Sequence, residues 1–389
     1  MDRTDRTDVA EPVAPQSGSQ HPPERTDETV GARSSGRPAL NALWWLARFT
    51  AALFFFVGAL QVMKTGAADL DILKQGGLLV RNAAATLGLG WLGALLVLSG
   101  SPIAASALTL VAAESISETE GFAMLTGSRL GAAFVVLMVA VIYALRGGEG
   151  ERMKPVSTAV MALTTTAAIY IPGSLIGLAL LQWGPFSALN IEFPAQFGDL
   201  IDVIYGPMLS RIEDLPAALL FVGGLGILLL SFKLIDTVVP AMSGQDIENS
   251  RLSWLQKKWP MFALGCLVAL VTMSVSVALT VLVPLVAKKY VKCEHILSYI
   301  MGANITTLGD TFFAAFLLNS PAAVRIVLAG IVGTTIVSVL LLAFFYPQMR
   351  SAIWKFQRQM VKSKTRLAAF TATMFLMPLA LIAVSGLFE

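Results

Sequence analysis

Nine apolar stretches, at roughly 43–63, 85–113, 122–145, 156–182, 217–239, 260–287, 296–318, 323–346 and 367–388, succeed one another along the chain. A membrane-spanning helix takes about 20 apolar residues, and each stretch is at least that long. Over all 389 residues 56% are hydrophobic and 14% charged, with a mean hydropathy of +0.71. A water-facing fold cannot hide that much apolar surface, so an all-α polytopic membrane protein is expected. The runs do not alternate with period two, which argues against a membrane barrel.

Two of the stretches share a template. Leu89-Gly-Trp-Leu-Gly-Ala-Leu-Leu-Val-Leu-Ser-Gly-Ser101 aligns without a gap on Leu264-Gly-Cys-Leu-Val-Ala-Leu-Val-Thr-Met-Ser-Val-Ser276, 175 positions later (264 − 89). Further on, Gly127-Ser-Arg-Leu-Gly-Ala132 falls on Gly302-Ala-Asn-Ile-Thr-Thr307 at the same offset. A duplicated polar break inside lipid-length sequence points to a transporter binding site.

The segments 85–113 and 260–287 are long for one crossing and too short for two. They are expected to be re-entrant helical hairpins. In the first, Ser99-Gly100-Ser101-Pro102 supplies a breaker, an N-cap and an early Pro. The second, at Met273-Ser-Val-Ser276, has no breaker of its own. The loop after the first hairpin is acidic (Glu114, Glu118, Glu120) and the one after the second is basic (Lys288, Lys289, Lys292). Opposite charge at equivalent positions is expected of two inverted-topology repeats, since cytoplasmic loops collect Lys and Arg.

The expected organisation is therefore a disordered cytoplasmic tail at 1–38, then repeat 1 at 39–182 and an acidic extracytoplasmic loop at 183–215. Repeat 2 at 216–346, a cytoplasmic basic linker at 347–366 and an extra transmembrane helix at 367–389 follow. Residues 64–84 are too charged to span and are expected in the interface. The N-terminus would be cytoplasmic and the protein a multi-pass component of the cell membrane.

Two tips entering from opposite faces would meet near the midplane. Each second arm presents free N–H groups and a positive dipole end, suited to an anion. Ser99, Gly100, Ser101, Ser274 and Ser276 are the candidate substrate contacts. Asn304, Thr306 and Thr307, with Ser128 in the first copy, offer hard oxygens for an alkali cation. Small residues for close helix packing are the plainer reading of the same positions.

The arrangement resembles the sodium-dependent phosphate cotransporter family, whose inverted repeats each carry a Gln-Ser-Ser-Ser tip followed by Gly-Ala/Ser-Asn-Ile-Gly-Thr. Gly302-Ala-Asn-Ile-Thr-Thr307 carries the likeness most closely, and it extends over about 43–346. It implies sodium-coupled uptake of a small anion, inorganic phosphate in that family, through a site between the tips. The expected partners are that anion, Na⁺ and the bilayer, with no other cofactor and no nucleic acid; a homo-oligomer is compatible. The departures are Leu98 and Met273 at the Gln position, Gly100 and Val275 at the middle Ser, and Arg129 at the first Asn. Transport of a different solute, or a non-transporting sensor or assembly partner, is the alternative.

Arg129 draws the most attention, because a guanidinium inside a membrane must be paired or face a polar cavity. Either it stands in for a bound cation or receives the anion, or it forms a lock with Asp310. Asp236 with Lys233 reads as an interfacial pair, and the three Glu residues as solvated loop charges. An enzyme is not expected. Thr307-Leu-Gly-Asp310 lacks the first Gly of the Gly-x-Gly-Asp motif of intramembrane aspartyl proteases, and no buried His is available as a base. Neither cysteine, Cys266 or Cys293, belongs to a disulfide or transition-metal motif.

Overall fold

Asn82 opens the first helix pair. It stands in extended backbone, and its side-chain oxygen accepts hydrogen bonds from the Ala84 and Ala85 amides at 3.1 and 3.0 Å. A computed structural model of the chain describes residues 38–70, 72, 80–146, 153–189, 194–238, 257–272, 278–279 and 293–385. All regular elements among these residues are helical. In chain order they are α1 (Pro38–Ala68), α2 (Ala83–Val97), α3 (Ser101–Ala112), α4 (Glu118–Ala132), α5 (Phe134–Arg146), α6 (Met153–Gln182) and α7 (Ala195–Ile212). Then come α8 (Ala217–Val238), α9 (Lys258–Thr272), α10 (Cys293–Thr306), α11 (Leu308–Leu317), α12 (Pro321–Leu340), α13 (Tyr346–Val361) and α14 (Lys364–Val384). The contacts below lie within one compact unit, Trp45–Glu389.

Seven helical spans among the described residues are long and apolar enough to cross a membrane. The protein is membrane-embedded on that ground. The shorter apolar helices α2, α3 and α9 are not among those spans. In the first repeated stretch the chain breaks as its residues require: α2 ends where Leu98 turns left-handed (φ 56°), and α3 begins at Ser101 with Pro102 in its first turn. The break is thus made by Leu98 together with Pro102, while Gly100 keeps an ordinary helical conformation. The second stretch supplies α9, and its tip lies outside the described residues.

Three boundaries differ from expectation. Helix α4 begins at Glu118, four residues earlier than the apolar run, because Ser117 and Glu120 form a reciprocal capping box. That uses Glu120, which is buried; Glu118 pairs with Arg325 on α12. Neither is a free loop charge. The acidic stretch 183–215 carries α7, held to α1 by the Tyr205 hydroxyl donating to the Phe54 carbonyl at 2.9 Å. The basic stretch after 346 continues the preceding helix as α13, through a π-helical turn at Leu341–Phe345.

That turn leaves one carbonyl to be satisfied from outside the helix. In π register the Leu342 carbonyl would bond residue 347, but Pro347 has no N–H. Lys258 Nζ donates to the Leu342 carbonyl instead, at 2.8 Å, and lies 5.9 Å from the centre of the Tyr346 ring. Below it, Met161, Ile169, Leu297, Met301, Tyr346, Met349 and Ile353 form a small buried cluster joining α6, α10 and α13.

Close helix crossings build the rest. On α6, Gly173 and Gly177 stand four apart and meet α12 at Gly333, whose added methyl would lie 2.2 Å from the Gly173 carbonyl oxygen. This crossing fixes the part of α6 that carries Thr166 and Tyr170. Helix α14 lies along α2, with the Pro378 carbonyl against Gly88, and meets α13 where Phe370 packs on Phe356; most of its remaining surface is exposed.

Candidate functional site

The two shared-template stretches make the same contact twice. Helix α2 crosses α4 so tightly that a methyl on Gly90 would lie 2.1 Å from the Met124 carbonyl oxygen, and one on Gly127 would lie 2.0 Å from that of Leu87. Helix α9 crosses α10 in the same way: a methyl on Gly265 would lie 2.0 Å from the Tyr299 carbonyl oxygen and one on Gly302 would lie 2.1 Å from that of Phe262. All four positions in one crossing lie 175 before their counterparts in the other (265 − 90, 299 − 124, 302 − 127, 262 − 87). A third rung differs in chemistry. Gly131 abuts the Trp91 carbonyl, whereas Thr306 donates its hydroxyl to the Cys266 carbonyl at 2.9 Å.

These crossings aim the faces of α4 and α10 opposite the glycines into the buried centre. Arg129 projects there with 1% of its surface exposed. Its Nη2 donates to Asp310 Oδ1 at 3.2 Å and to the Thr311 hydroxyl. Thr311 in turn donates to Asp310 Oδ1 at 2.8 Å. Asp310 is 4% exposed, so a full ion pair is held away from water. Its hydrogen bonding is incomplete. Arg129 Nε and Nη1 and Asp310 Oδ2 are buried without a protein partner. Arg129 is thus paired with Asp310.

Asn304 stands where Arg129 does, in the other copy. Its side-chain amide donates to Thr166 Oγ1 at 3.0 Å, and its backbone carbonyl accepts from the Tyr170 hydroxyl at 2.7 Å and from Thr307 Oγ1 at 3.1 Å. Thr307, which bonds that carbonyl, stands three residues before Asp310, so the two groups adjoin in one polar cluster. Chemically the cluster offers guanidinium N–H donors to an anion, and a carboxylate oxygen with hydroxyl oxygens to an alkali cation.

The break between α2 and α3 packs against α4 beside Arg129. Gly100 is buried against α4, where a methyl would lie 2.9 Å from the Ser128 carbonyl and 2.8 Å from Ala132 Cβ. Ser101 is buried and Ser99 half-buried. Ser128, one residue from Arg129, donates its hydroxyl to the Leu125 carbonyl at 2.7 Å. Thus Gly100, Ser128, Arg129 and Asp310 belong to one neighbourhood, as do Asn304 and Thr307, while Thr306 serves the helix crossing. Ser274 and Ser276 lie outside the described residues, and so does the side chain of Asp236.

Thr166, Tyr170 and Thr311 belong to the cluster and were not among the candidates read from the sequence. A signal existed: Thr164-Thr-Thr166 and Tyr170 are polar groups in the middle of a lipid-length segment. Compared with known proteins, the chain matches no family model, no curated protein and no solved structure.

Proposed function

We propose that the protein is a secondary transporter carrying a small anion together with sodium, inorganic phosphate being the anion its sequence resemblance implies. In this reading α2–α3 and the stretch begun by α9 are re-entrant hairpins of two inverted repeats, in a cell membrane with the N-terminus cytoplasmic. The duplicated glycine crossings support the duplication. The observation that carries the function is the buried Arg129–Asp310 pair with three polar atoms left unpartnered.

Such a pair supplies a coupling rule. An anion arriving alone would take Arg129 and leave Asp310 charged and unpaired, and a sodium ion alone would strand Arg129. Breaking a buried pair from one side costs about 3–5 kcal/mol. Arriving together, the two ions replace each partner with a new one, and neither charge is left bare. Arg129 receives the anion, with the tip N–H groups and Ser101; Asp310, Thr311 and the oxygens around Asn304 receive the cation. No residue is assigned a catalytic role.

Uptake of labelled phosphate into proteoliposomes, with and without an inward sodium gradient, tests this. Sodium-dependent accumulation that disappears in Arg129→Gln and Asn304→Ala supports it. Absence of uptake for phosphate, sulfate and other small anions alike would refute it. The alternative, a member of the fold with a different solute or a non-transporting role, is favoured by one observation. The hydroxyls of Ser128, Thr306 and Thr307 donate to backbone carbonyls of their own helix pair.

A further inference from the structure

Residues 346–366 contain Arg350, Lys355, Arg358, Lys362, Lys364 and Arg366 and no acidic residue. Helix α13 sorts this stretch by face. Tyr346, Met349, Ile353 and Gln357 are buried, whereas Ser351, Lys355 and Arg358 are exposed. On the outer side Pro347, Arg350, Ser351, Trp354, Lys355 and Arg358 line an open cleft of about 290 Å³. The Arg358 guanidinium stacks over Trp354, 5.2 Å from the ring centre, and the Trp354 indole N–H is buried without an acceptor. The side-chain groups lining the cleft are donors: ammonium, guanidinium, hydroxyl and indole N–H. Among the described residues, no carboxylate lines it.

Depth along the helix narrows the ligand. Leu340, Phe344 and Phe345 are exposed large apolar residues just before α13, and α12 with α13 forms one 41-residue helical span. Lys355 and Arg358 follow Phe345 by 10–13 residues, about 15–20 Å of helix, and Arg350 by about 8 Å. A helix that passes from acyl-facing aromatics to a basic face crosses the headgroup layer on the way.

We infer that this cleft binds the phosphate of an anionic lipid headgroup, held by Lys355 and Arg358 and flanked by Trp354. The inference does not depend on what the Arg129 cluster carries. The lipid also has a mechanical consequence, since it would seat α13 just beyond the π-helical turn capped by Lys258.

The test uses the full chain in phosphatidylcholine vesicles with trace spin-labelled phosphatidylglycerol or phosphatidylcholine, comparing the motionally restricted fraction of each label. The wild type should hold the anionic label more strongly, on the order of fivefold for each of the two cations. Lys355→Gln/Arg358→Gln should lose most of that preference, Arg358→Lys should largely keep it, and Lys64→Gln, on a different helix, should leave it unchanged. Because the two residues are exposed, a circular-dichroism melt of the double variant should match wild type. An unchanged lipid preference in a folded double variant overturns the proposal. So does displacement of the labelled lipid by millimolar inorganic phosphate, which would make the cleft a site for a soluble anion.

Discussion

Arg129 and Asp310, 181 residues apart in sequence, meet in the buried centre with Nη2 and Oδ1 3.2 Å apart. Arg129 lies on α4, which the glycine crossing with α2 positions, and Asp310 lies on α11, which directly follows α10. Removal of either partner alone should lower stability by about 3–5 kcal/mol, because the survivor is left charged and buried. Arg129→Met combined with Asp310→Leu should return most of that loss and still abolish uptake. Thermal unfolding in detergent alongside proteoliposome uptake separates the two effects; single variants as stable as wild type would contradict the lock.

The glycine rungs should tolerate no side chain. Gly127→Ala and Gly302→Ala would each place a methyl about 2 Å from a carbonyl oxygen. Each should cost about 1–3 kcal/mol as the helices are forced apart. Gly206 and Gly226 have nothing within 4 Å of the added methyl. Alanine there should be neutral or stabilising by up to about 1 kcal/mol, since alanine favours the helix. Matched losses at the two rungs, read from melting curves of all four variants, would also mark the crossings as equivalent.

The Lys258 cap is testable as a cycle. Lys258→Met leaves the Leu342 carbonyl without its donor and should cost about 1–3 kcal/mol. In a Pro347→Ala background residue 347 regains an N–H, so the same substitution should cost markedly less. Equal costs in both backgrounds would show that Pro347 is not the source of the orphaned carbonyl.

Gly100→Ala probes the tip. The added methyl presses on Ser128 and Ala132, next to Arg129, so uptake should fall about tenfold or more while the protein stays folded. Ser99→Ala, at a half-buried position with no comparable contact, should change uptake far less. Equal effects of the two would remove the tip from the site.

Much of the architecture was legible before any coordinates. The apolar runs announce α1, α6, α8, α12 and α14, because length and hydropathy are local properties. Ser99–Pro102 announces the break between α2 and α3. The capping box Ser117-x-x-Glu120 was equally legible, yet the acidic composition of 113–120 suggested a loop instead. Helix α7 and the helical run into α13 were obscured for the same reason, since charge was taken for loop in both, whereas their charged side chains stand on the exposed faces of helices.

Local signals along the chain suffice to mark a helical membrane protein with a template recurring at 175 residues and an unusual arginine within it. The pairing of Arg129 with Asp310, the addition of Thr311, Tyr170 and Thr166 to the cluster, and the role of Thr306 in a helix crossing emerge from the packing of the helices alone. The difference is one of range. Hydropathy and capping act over a few residues and can be read along the chain, whereas the partner of a buried charge depends on which helices the glycines allow to touch.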